Sequence, residues 1–367
     1  MTLRVAIDGT SLLGARTGVG HLTAGLVSAL AARGDVRIVV FAVTWRGRRD
    51  LAAALPPGVA PATAPIPARL ARALWRRMDA PAVERWTGPV DVVHATNYVA
   101  PPARAPAVVT VHDLTFVHYP QMCTADTLTY PHLIRRALDR DASVHVVSDF
   151  VGGEVQTEFG LPADRVVRVY PGLRRTGAGD ASAGRTLAGA DRYVLALGTI
   201  EPRKNLPALV RAFDRAAGRD ARRYLVVAGP DGWDRDAFAT AHTTARHRDR
   251  VRRLGYVTEA ERRDLLAGAA AFAYPSHYEG FGHPPLEAMS AGVPVVAARA
   301  GALPEVLGDA AMLVDPADVE GLAESLDRVL DDDALRATLI ARGHEQAARF
   351  SWDRAAGDFS ALYRGLT

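Results

Sequence analysis

Short runs of small apolar residues recur along the chain, and most of them precede a glycine-containing loop and an amphipathic stretch. The first run covers residues 4–8, and a predicted helix at 21–32 follows, with leucines and a valine at helical spacing on one face. Further apolar runs at 36–43, 90–94, 107–111, 144–147 and 166–169 are typical of buried strands. Buried strands that alternate with helices predict an α/β fold, doubly wound around parallel sheets.

The same order of elements starts again in the second half of the chain. A strand at 193–197, a glycine loop at 198–205 and a helix at 206–216 repeat the opening pattern. The small and polar segment 174–190 before them is the best candidate for a linker. We therefore predict two domains, at residues 1–173 and 191–350, and a last helix at 351–367.

Two stretches of the first half have a weaker pattern. Residues 56–67 are rich in proline and alanine without periodicity and predict a loop, whereas 68–86 predicts a helix with Arg69, Arg72 and Arg76 on one side. Such a basic face suits the surface of an anionic membrane, although a solvated helix face is the commoner case.

Residues 274–296 carry the most informative pattern. An apolar run ends at Tyr274, and after a glycine loop Pro284 and Pro285 suit the first turn of a helix that Gly292 would end. A helix start attracts anions, and the carboxylates of Glu279 and Glu287 can accept hydrogen bonds from sugar hydroxyls. A phosphate site beside hydroxyl-binding carboxylates is what a nucleotide sugar requires.

A second anion site is predicted at Arg203 and Lys204, just before a helix that Asn205 could cap. Arginine offers a planar fork to phosphate oxygens and lysine a compact charge. Lys204 is the one lysine of a chain with 44 Lys and Arg residues, which favours a specific use of its ammonium group. The alternative is a pair of exposed residues at the start of a surface helix.

Other candidate sites are less specific. Gly18 and Gly20 lie between the first predicted strand and helix, but a dinucleotide fingerprint is disfavoured because Thr23 occupies the position of its third glycine. His112 follows a strand, where active-site residues of α/β sheets collect, and His94 is a weaker candidate. The triplets 139–141 and 234–236 resemble metal-binding carboxylate pairs, although solvated helix ends are favoured for both.

Composition narrows the class of protein. The chain has 367 residues, 49% of them hydrophobic, and its 44 basic against 41 acidic residues give no argument for a nucleic-acid partner. A single cysteine, Cys123, excludes an internal disulfide and fits a reducing compartment. Without a signal-peptide pattern or a spanning apolar run, we expect a cytoplasmic protein with at most peripheral contact at the inner membrane face.

Two of these motifs resemble those of a known family. Glu279-Gly280-Phe281-Gly282 followed by Glu287 is similar to the E-x7-E signature of the retaining glycosyltransferase family 4, and the similarity continues to residue 316. Residues 198–205 resemble its phosphate-binding basic pair, with Thr199 where many members have arginine. The resemblance implies the GT-B fold, in which two Rossmann-like domains face each other across a cleft and the last helix crosses back to the first domain.

The resemblance also implies a reaction, namely retaining transfer of a hexose from a nucleoside diphosphate sugar to an acceptor hydroxyl without a metal or cofactor. Catalytic roles would fall to Arg203, Lys204, Glu279 and His112, and the leaving phosphate would take the acceptor proton. The donor site would comprise Gly18, Gly20, Thr199, Arg203, Lys204, Tyr256, Val257, Glu279, Gly280, Phe281, Gly282, His283 and Glu287, with Glu287 on the ribose.

The identity of the substrates stays open at this point. The form of the basic motif at residues 201–205 resembles that of bacterial polysaccharide mannosyltransferases and favours GDP-mannose over a UDP-sugar as donor. The loops 46–85 and 115–132 would select the acceptor, which could be a glycan, a lipid-linked glycan or a small natural product. A nucleotide-sugar epimerase on the same fold and a non-catalytic sugar-nucleotide-binding protein are the alternatives.

Overall fold

The computed structural model describes residues 2–14, 18–45, 47–174 and 177–367. The chain divides into two compact units, which are described separately. The first comprises Met1–Gly172 together with Phe350–Thr367, and the second comprises Leu173–Arg349. Each unit contains one parallel sheet, which agrees with the Rossmann-like fold expected from the alternation of strands and helices.

The first unit has a seven-stranded parallel sheet in the order β3-β2-β1-β4-β5-β6-β7. Its central strands are buried on both faces because helices cover both sides, and their sequences are therefore continuous apolar runs. The strands are Arg4–Asp8 (β1), Arg37–Val43 (β2), Ala60–Ala64 (β3), Val92–Ala95 (β4), Ala107–Val111 (β5), Ser143–Val146 (β6) and Val166–Arg168 (β7). The helices before the linker are Gly18–Arg33 (α1), Arg48–Ala54 (α2), Ala68–Trp75 (α3), Glu84–Thr87 (α4), Thr115–His118 (α5), Tyr130–Leu138 (α6) and Asp149–Phe159 (α7).

The second unit has a six-stranded parallel sheet in the order β10-β9-β8-β11-β12-β13. Its strands are Arg192–Leu197 (β8), Arg223–Ala228 (β9), Val251–Gly255 (β10), Ala271–Tyr274 (β11), Val295–Ala298 (β12) and Ala311–Val314 (β13). Its helices are Ala181–Ala188 (α8), Leu206–Ala217 (α9), Arg235–Thr244 (α10), Glu259–Gly268 (α11), His283–Ser290 (α12), Leu303–Leu307 (α13), Val319–Asp331 (α14) and Asp333–Ala348 (α15). A reciprocal capping box between Thr258 and Glu261 begins α11.

The last helix, Trp352–Arg364 (α16), packs against α1 of the first unit. Phe359 and Ala356 of this helix join the core residues Leu26 and Leu30 of α1. The hydroxyl of Ser351 accepts a hydrogen bond from the Arg354 N–H at 3.2 Å and so caps the helix start.

A buried chain of hydrogen bonds also holds α16 to the sheet. His94 Nδ1 lies 2.7 Å from the Tyr363 hydroxyl, and its Nε2 lies 2.8 Å from the Thr110 hydroxyl. Thr110 in turn contacts His145 Nδ1 at 2.9 Å, and His145 Nε2 donates to the Val169 carbonyl at 3.1 Å. Because that carbonyl only accepts, each bond has one consistent direction, from Tyr363 through to Val169, and both histidines are neutral.

Three predictions of secondary structure were wrong. Residues 68–86 do not form one helix, because α3 ends at Trp75 and Pro81 precludes a continuous helix before α4 begins at Glu84. The predicted loop 56–67 contains β3, an edge strand in which Pro61 is tolerated because one side of the strand makes no ladder bonds. The predicted linker 174–190 contains α8, which Asp180 caps by accepting from the N–H groups of Ser182 and Ala183.

The glycine loop after β1 is also shorter than predicted. Gly18 and Gly20 lie in the first turn of α1, and Gly20 is buried there. Part of the loop falls on residues 15–17, outside the described residues. In the part of the chain that the structure describes, no helix is both long enough and apolar enough to cross a membrane.

The neutral histidines predict a specific loss of stability in acid. Burial lowers the pKa of His145 to about 3, whereas the unfolded chain titrates near 6.5. When the pH falls from 7.5 to 5.5, the unfolded state therefore binds a proton that the folded state does not bind. This difference lowers the free energy of unfolding by about 1.4 kcal/mol for each such histidine. Replacing His145 by glutamine should remove the contribution of this histidine to the pH dependence. The free energy of unfolding at the two pH values is measured by urea unfolding followed by tryptophan fluorescence.

The exposed His132 of α6 provides the control, since His132→Gln should keep the wild-type pH dependence. A His145→Gln variant whose stability falls as steeply as that of the wild type between the two pH values would contradict neutral burial.

Candidate active site

The predicted motifs of the second unit meet where β8 and β11 lie side by side. The chain runs from β8 outwards to β10 and then returns to place β11 on the other side of β8, so the strand order reverses between these two strands. At such a point the loops after the two strands diverge and leave a crevice beyond their carboxyl ends, the usual ligand site of open α/β sheets. Residues 198–205 follow β8, and residues 275–282 follow β11.

The crevice contains a carboxylate held by two cations. Lys204 Nζ donates to Glu279 Oε1 at 2.6 Å, and Arg203 pairs with Glu279 Oε2 at 2.7 Å. The side chain of Lys204 is 12% exposed, that of Arg203 20% and that of Glu279 9%, so the alternative of two exposed residues on a surface helix is excluded. We call these three residues the Glu279 cluster.

Two further residues complete the surroundings of the Glu279 cluster. Lys204 Nζ also donates to the Tyr274 hydroxyl at 2.6 Å and lies 4.7 Å from the centre of its ring. Arg203 donates to Glu201 Oε1 at 2.7 Å and to the Tyr278 carbonyl at 3.1 Å. Neither Tyr274 nor Glu201 was among the predicted site residues, although Tyr274 ends a predicted strand and Glu201 lies two positions before Arg203.

The pKa values show how strongly the charges depend on each other. Burial opposes the ionised carboxylate of Glu279, but Arg203 and Lys204 outweigh burial and hold its pKa down at about 2. Burial and the neighbouring Arg203 lower the pKa of Lys204, while Glu279 opposes this shift. Burial and the nearby Glu279 raise the pKa of Tyr274 well above its usual value, so the phenol stays protonated.

The backbone of the two loops is locked by Asn205 and Gly301. Asn205 precedes α9 in a left-handed conformation, and its side chain makes no cap but donates to the carbonyls of Pro275 and Pro316 at 3.2 and 2.9 Å. The predicted capping role was therefore wrong, because the side chain instead joins the loops after three strands. Gly301, at φ +57°, lies so close to the backbone of Glu279 that a Cβ would clash with it.

Glu287 has a different setting from Glu279. It lies inside α12, which begins after the left-handed Gly282 and includes both prolines in its first turns, as predicted. Its carboxylate pairs with the largely buried guanidinium of Arg262 on α11. Burial lowers the pKa of Arg262 to about 10. No motif in the sequence indicated Arg262, because it lies on an amphipathic helix and only the folded chain brings it to Glu287.

The remaining predicted donor residues of this unit lie in the loops after β8, β10 and β11 and at the start of α12. Gly280, Phe281 and Gly282 are buried, and the ring of Phe281 lies 4.7 Å from that of His283. Thr199 is half-buried in the loop after β8. Tyr256 follows β10 with 77% of its surface exposed, and Val257 beside it is half-buried. The contacts predicted between these residues and a donor stay predictions.

The predicted residues of the first unit lie at its own strand ends. His112 follows β5, and its Nε2 donates to the Thr96 carbonyl at 2.8 Å, which leaves Nδ1 as an acceptor. Burial lowers the pKa of His112 and keeps the ring neutral. His94, in contrast, is 1% exposed and uses both ring nitrogens in the bonds to Tyr363 and Thr110, so its role is structural. The contact of His112 with a donor sugar stays a prediction.

The two acidic triplets lie at helix ends. Asp139 follows α6 and Asp141 pairs with Arg165, while Asp234 precedes α10 and Asp236 lies in its first turn. Within the described ranges no group of three or more His, Cys, Asp or Glu residues is suited to hold a metal ion.

Comparison with known proteins places this geometry in a family. Residues 16–175 match the family model described as Glycosyltransferase Family 4, and residues 181–346 match the one described as Glycosyl transferases group 1. The O-antigen chain mannosyltransferase B of Escherichia coli is 35% identical over 284 residues, which are 75% of this chain and 74% of that protein. The chain belongs to glycosyltransferase family 4. It is a hexosyltransferase.

Two further matches differ in how much of their length they share with this chain. The serotype-specific mannosyltransferase WbdA of Escherichia coli is 30% identical over 59% of this chain but only 28% of its own. A crystal structure of Anabaena Alr3699/HepE in complex with UDP-glucose matches 99% of this chain and 100% of its own, with a TM-score of 0.75 and 20% identity. That likeness shows the GT-B fold. Both curated relatives are transferases, which does not favour the epimerase or the non-catalytic alternative.

The Glu279 cluster predicts a strong effect of one substitution on stability. Glu279→Gln leaves Arg203 and Lys204 buried without their shared counter-charge, and removing one partner of a buried ion pair costs about 3–5 kcal/mol. The free energy of unfolding measured in urea at pH 7 should fall by an amount of this order. Glu320→Gln, which breaks an exposed pair with Arg215, should cost less than about 1 kcal/mol. Equal losses in the two variants would refute the tight electrostatic coupling described above.

Proposed function

We propose that this family 4 enzyme transfers mannose from GDP-mannose to a hydroxyl of a glycan, with retention of the anomeric configuration and without a metal ion. The observation that carries the proposal is the pairing of Arg203 and Lys204 with Glu279 in the crevice between β8 and β11. The described functions of the two mannosyltransferase relatives support mannose as the sugar. The nucleotide sugar in the HepE structure supports a nucleoside diphosphate sugar as the class of donor.

The two cations are suited to the charge that develops in this reaction. As the bond between the anomeric carbon and the phosphate oxygen breaks, negative charge collects on the diphosphate. Arg203 can present its fork to two phosphate oxygens, and Lys204 adds a point charge. Because Glu279 already holds both side chains in place, little rotamer entropy remains to be lost when the diphosphate binds.

Glu279 is also placed to bind the sugar. Its two oxygens accept from Lys204 and Arg203, and the hydroxyls of Ser276 and Tyr274 lie beside the carboxylate, which offers about four acceptor sites in all. A donor hydroxyl can take the place of one of these neutral hydroxyls while the cations stay in position. With a pKa of about 2, the carboxylate keeps its negative charge across the physiological range and can stabilise an oxocarbenium-like anomeric carbon.

The proton balance needs no further base. The acceptor hydroxyl forms its bond to the anomeric carbon on the face that the phosphate leaves, and its proton passes to the leaving phosphate oxygen. The products are a mannoside with the donor's configuration and protonated GDP. Glu287, held by Arg262, is proposed to accept hydrogen bonds from the ribose hydroxyls.

Substitution of the cations tests this function. Lys204→Met and Arg203→Met should each lower kcat/KM for transfer by about 10²–10³-fold, because each removes a charge that stabilises the transition state. Arg215→Met, on the exposed side of α9, should retain wild-type activity. Radiolabelled transfer into a mannan acceptor measures the rate, and the proton spectrum of the product gives its configuration. A β-mannoside product, or full activity of both cation variants, would refute the mechanism.

Addition of EDTA tests metal independence separately. The transfer rate of the dialysed enzyme should change by less than about twofold, because the two side chains supply the charge that a metal would otherwise provide. Loss of activity that returns with Mg²⁺ or Mn²⁺ would contradict the metal-independent proposal.

A further inference from the structure

The hydroxyl of Tyr274 lies inside the candidate active site at the end of β11. Tyr274 is 3% exposed, and its hydroxyl oxygen lies 2.6 Å from Lys204 Nζ. An ammonium group can only donate, so the phenol oxygen is the acceptor of this bond. The phenol keeps its own proton, with which it interacts with the neighbouring carboxylate of Glu279. The hydroxyl of Tyr274 therefore joins the cation and the anion at the centre of the site.

The ammonium group of Lys204 has three N–H donors, and its surroundings use two of them. One donor bonds to Glu279 Oε1 and one to the Tyr274 hydroxyl, both at 2.6 Å, and Lys204 makes no third side-chain hydrogen bond within the described ranges. Two bonds from a tetrahedral nitrogen fix the direction of the third N–H. The side chain is 12% exposed, so a ligand in the crevice can still reach this group.

The hydroxyl gives a directional restraint that the other contacts of Lys204 lack. The stem of Lys204 lies along the loop after β8, where a Cβ on Gly198 would be 3.5 Å from its Cε. The ring of Tyr274, whose centre is 4.7 Å from Nζ, attracts the positive charge but does not select which N–H points where. A phenylalanine at position 274 would keep this attraction and lose the restraint.

The hydroxyl also favours the charged form of Lys204. The charged groups around the ammonium are Arg203 and Glu201 from its own loop and Glu279 from the loop after β11. Burial and Arg203 lower the pKa of Lys204, while Glu279 and Glu201 oppose this shift. A neutral acceptor that bonds to the ammonium stabilises its protonated state. The hydroxyl of Tyr274 thus adds to the effect of the two carboxylates.

We propose that Tyr274 is a positioning residue for Lys204, whose ammonium group it holds together with Glu279 so that the third N–H is directed at the diphosphate of the donor. The inference rests on the proposed function, because the diphosphate belongs to the nucleotide sugar proposed there. Tyr274 acts through Lys204 in the stabilisation of the departing diphosphate.

The single lysine of the chain allows a direct test. Protein labelled with lysine that carries ¹³C at Cε should give one lysine signal, whose shift against pH reports the titration of Lys204. In Tyr274→Phe the midpoint of this titration should lie about one pH unit lower, because the charged form loses a hydrogen bond. An unchanged midpoint would overturn the proposal.

Tyr193→Phe is the matched control for this measurement. Tyr193 is 1% exposed on the neighbouring strand β8, and its hydroxyl donates to the Leu265 carbonyl at 2.6 Å. Its replacement removes the same kind of buried hydroxyl from the same sheet and should leave the titration of Lys204 unchanged. Equal shifts in the two variants would show a general effect of lost packing and would overturn the proposal.

Kinetics test whether the hydroxyl acts through Lys204. At pH 7, Tyr274→Phe should lower kcat/KM for transfer from GDP-mannose about tenfold and leave the KM for acceptor unchanged. In a Lys204→Met background the same replacement should have less than about a twofold further effect, because the group that the hydroxyl positions is absent. Equal losses in the two backgrounds would indicate a merely structural role and would overturn the proposal.

Urea unfolding of both tyrosine variants guards against misfolding, and each should remain folded. If Tyr274→Phe does not fold, uniform replacement of tyrosine by 3-fluorotyrosine keeps every hydroxyl. The fluorine makes the phenol oxygen a weaker acceptor, and of the described tyrosines Tyr274 is the one that bonds to Lys204 Nζ. The lysine signal should then still titrate at a lower pH than in the wild type, and an unchanged midpoint would overturn the proposal.

Binding of inorganic pyrophosphate separates this inference from the proposed function. Pyrophosphate is the part that all nucleoside diphosphates share, so the test assumes neither base nor sugar. It should shift the Lys204 signal of the wild type and bind about tenfold more weakly to Tyr274→Phe, but not to Tyr193→Phe. If this holds and the wild type turns over no nucleoside diphosphate hexose, the proposed function is refuted and the positioning role stands. If the wild type transfers mannose but all three proteins bind pyrophosphate equally, the positioning role is overturned and the proposed function stands.

Discussion

The second unit depends on the burial of two cations with a single carboxylate. Charged groups lose much of their hydration in a crevice, and they remain ionised there only when opposite charges lie within hydrogen-bonding distance. Arg203, Lys204 and Glu279 meet this condition in a geometry in which every contact is between 2.6 and 2.7 Å. The conformations of the loops after β8 and β11, the left-handed Asn205 and the closely packed Gly301 all serve to hold this arrangement.

The same topological feature occurs in both units. In each sheet the strand order reverses once beside the first strand of the unit. The second unit places positive charge at that reversal, which suits a diphosphate.

The sequence predicted the parts of the fold that local pattern and short motifs determine. The alternation of buried strands and helices sufficed for two parallel sheets, and the motif at 279–287 sufficed for the family. The prediction of one helix at 68–86 was wrong because it relied on apolar spacing and neglected Pro81. The strand β3 was missed because an edge strand tolerates proline and needs no apolar run. The pairing of Glu287 with Arg262 lies outside any local pattern, since it joins residues on two different helices.

The most direct test of the account is calorimetric titration of the wild type and Lys204→Met with the GDP-, UDP-, ADP- and dTDP-hexoses in the presence of EDTA. The account predicts that GDP-mannose binds the wild type and that its affinity falls at least about tenfold in the variant, because one of the two buried cations is lost. Binding of NAD(P) or a free phosphosugar in place of every nucleoside diphosphate hexose would contradict it. Equal affinity of GDP-mannose for both proteins would do so as well.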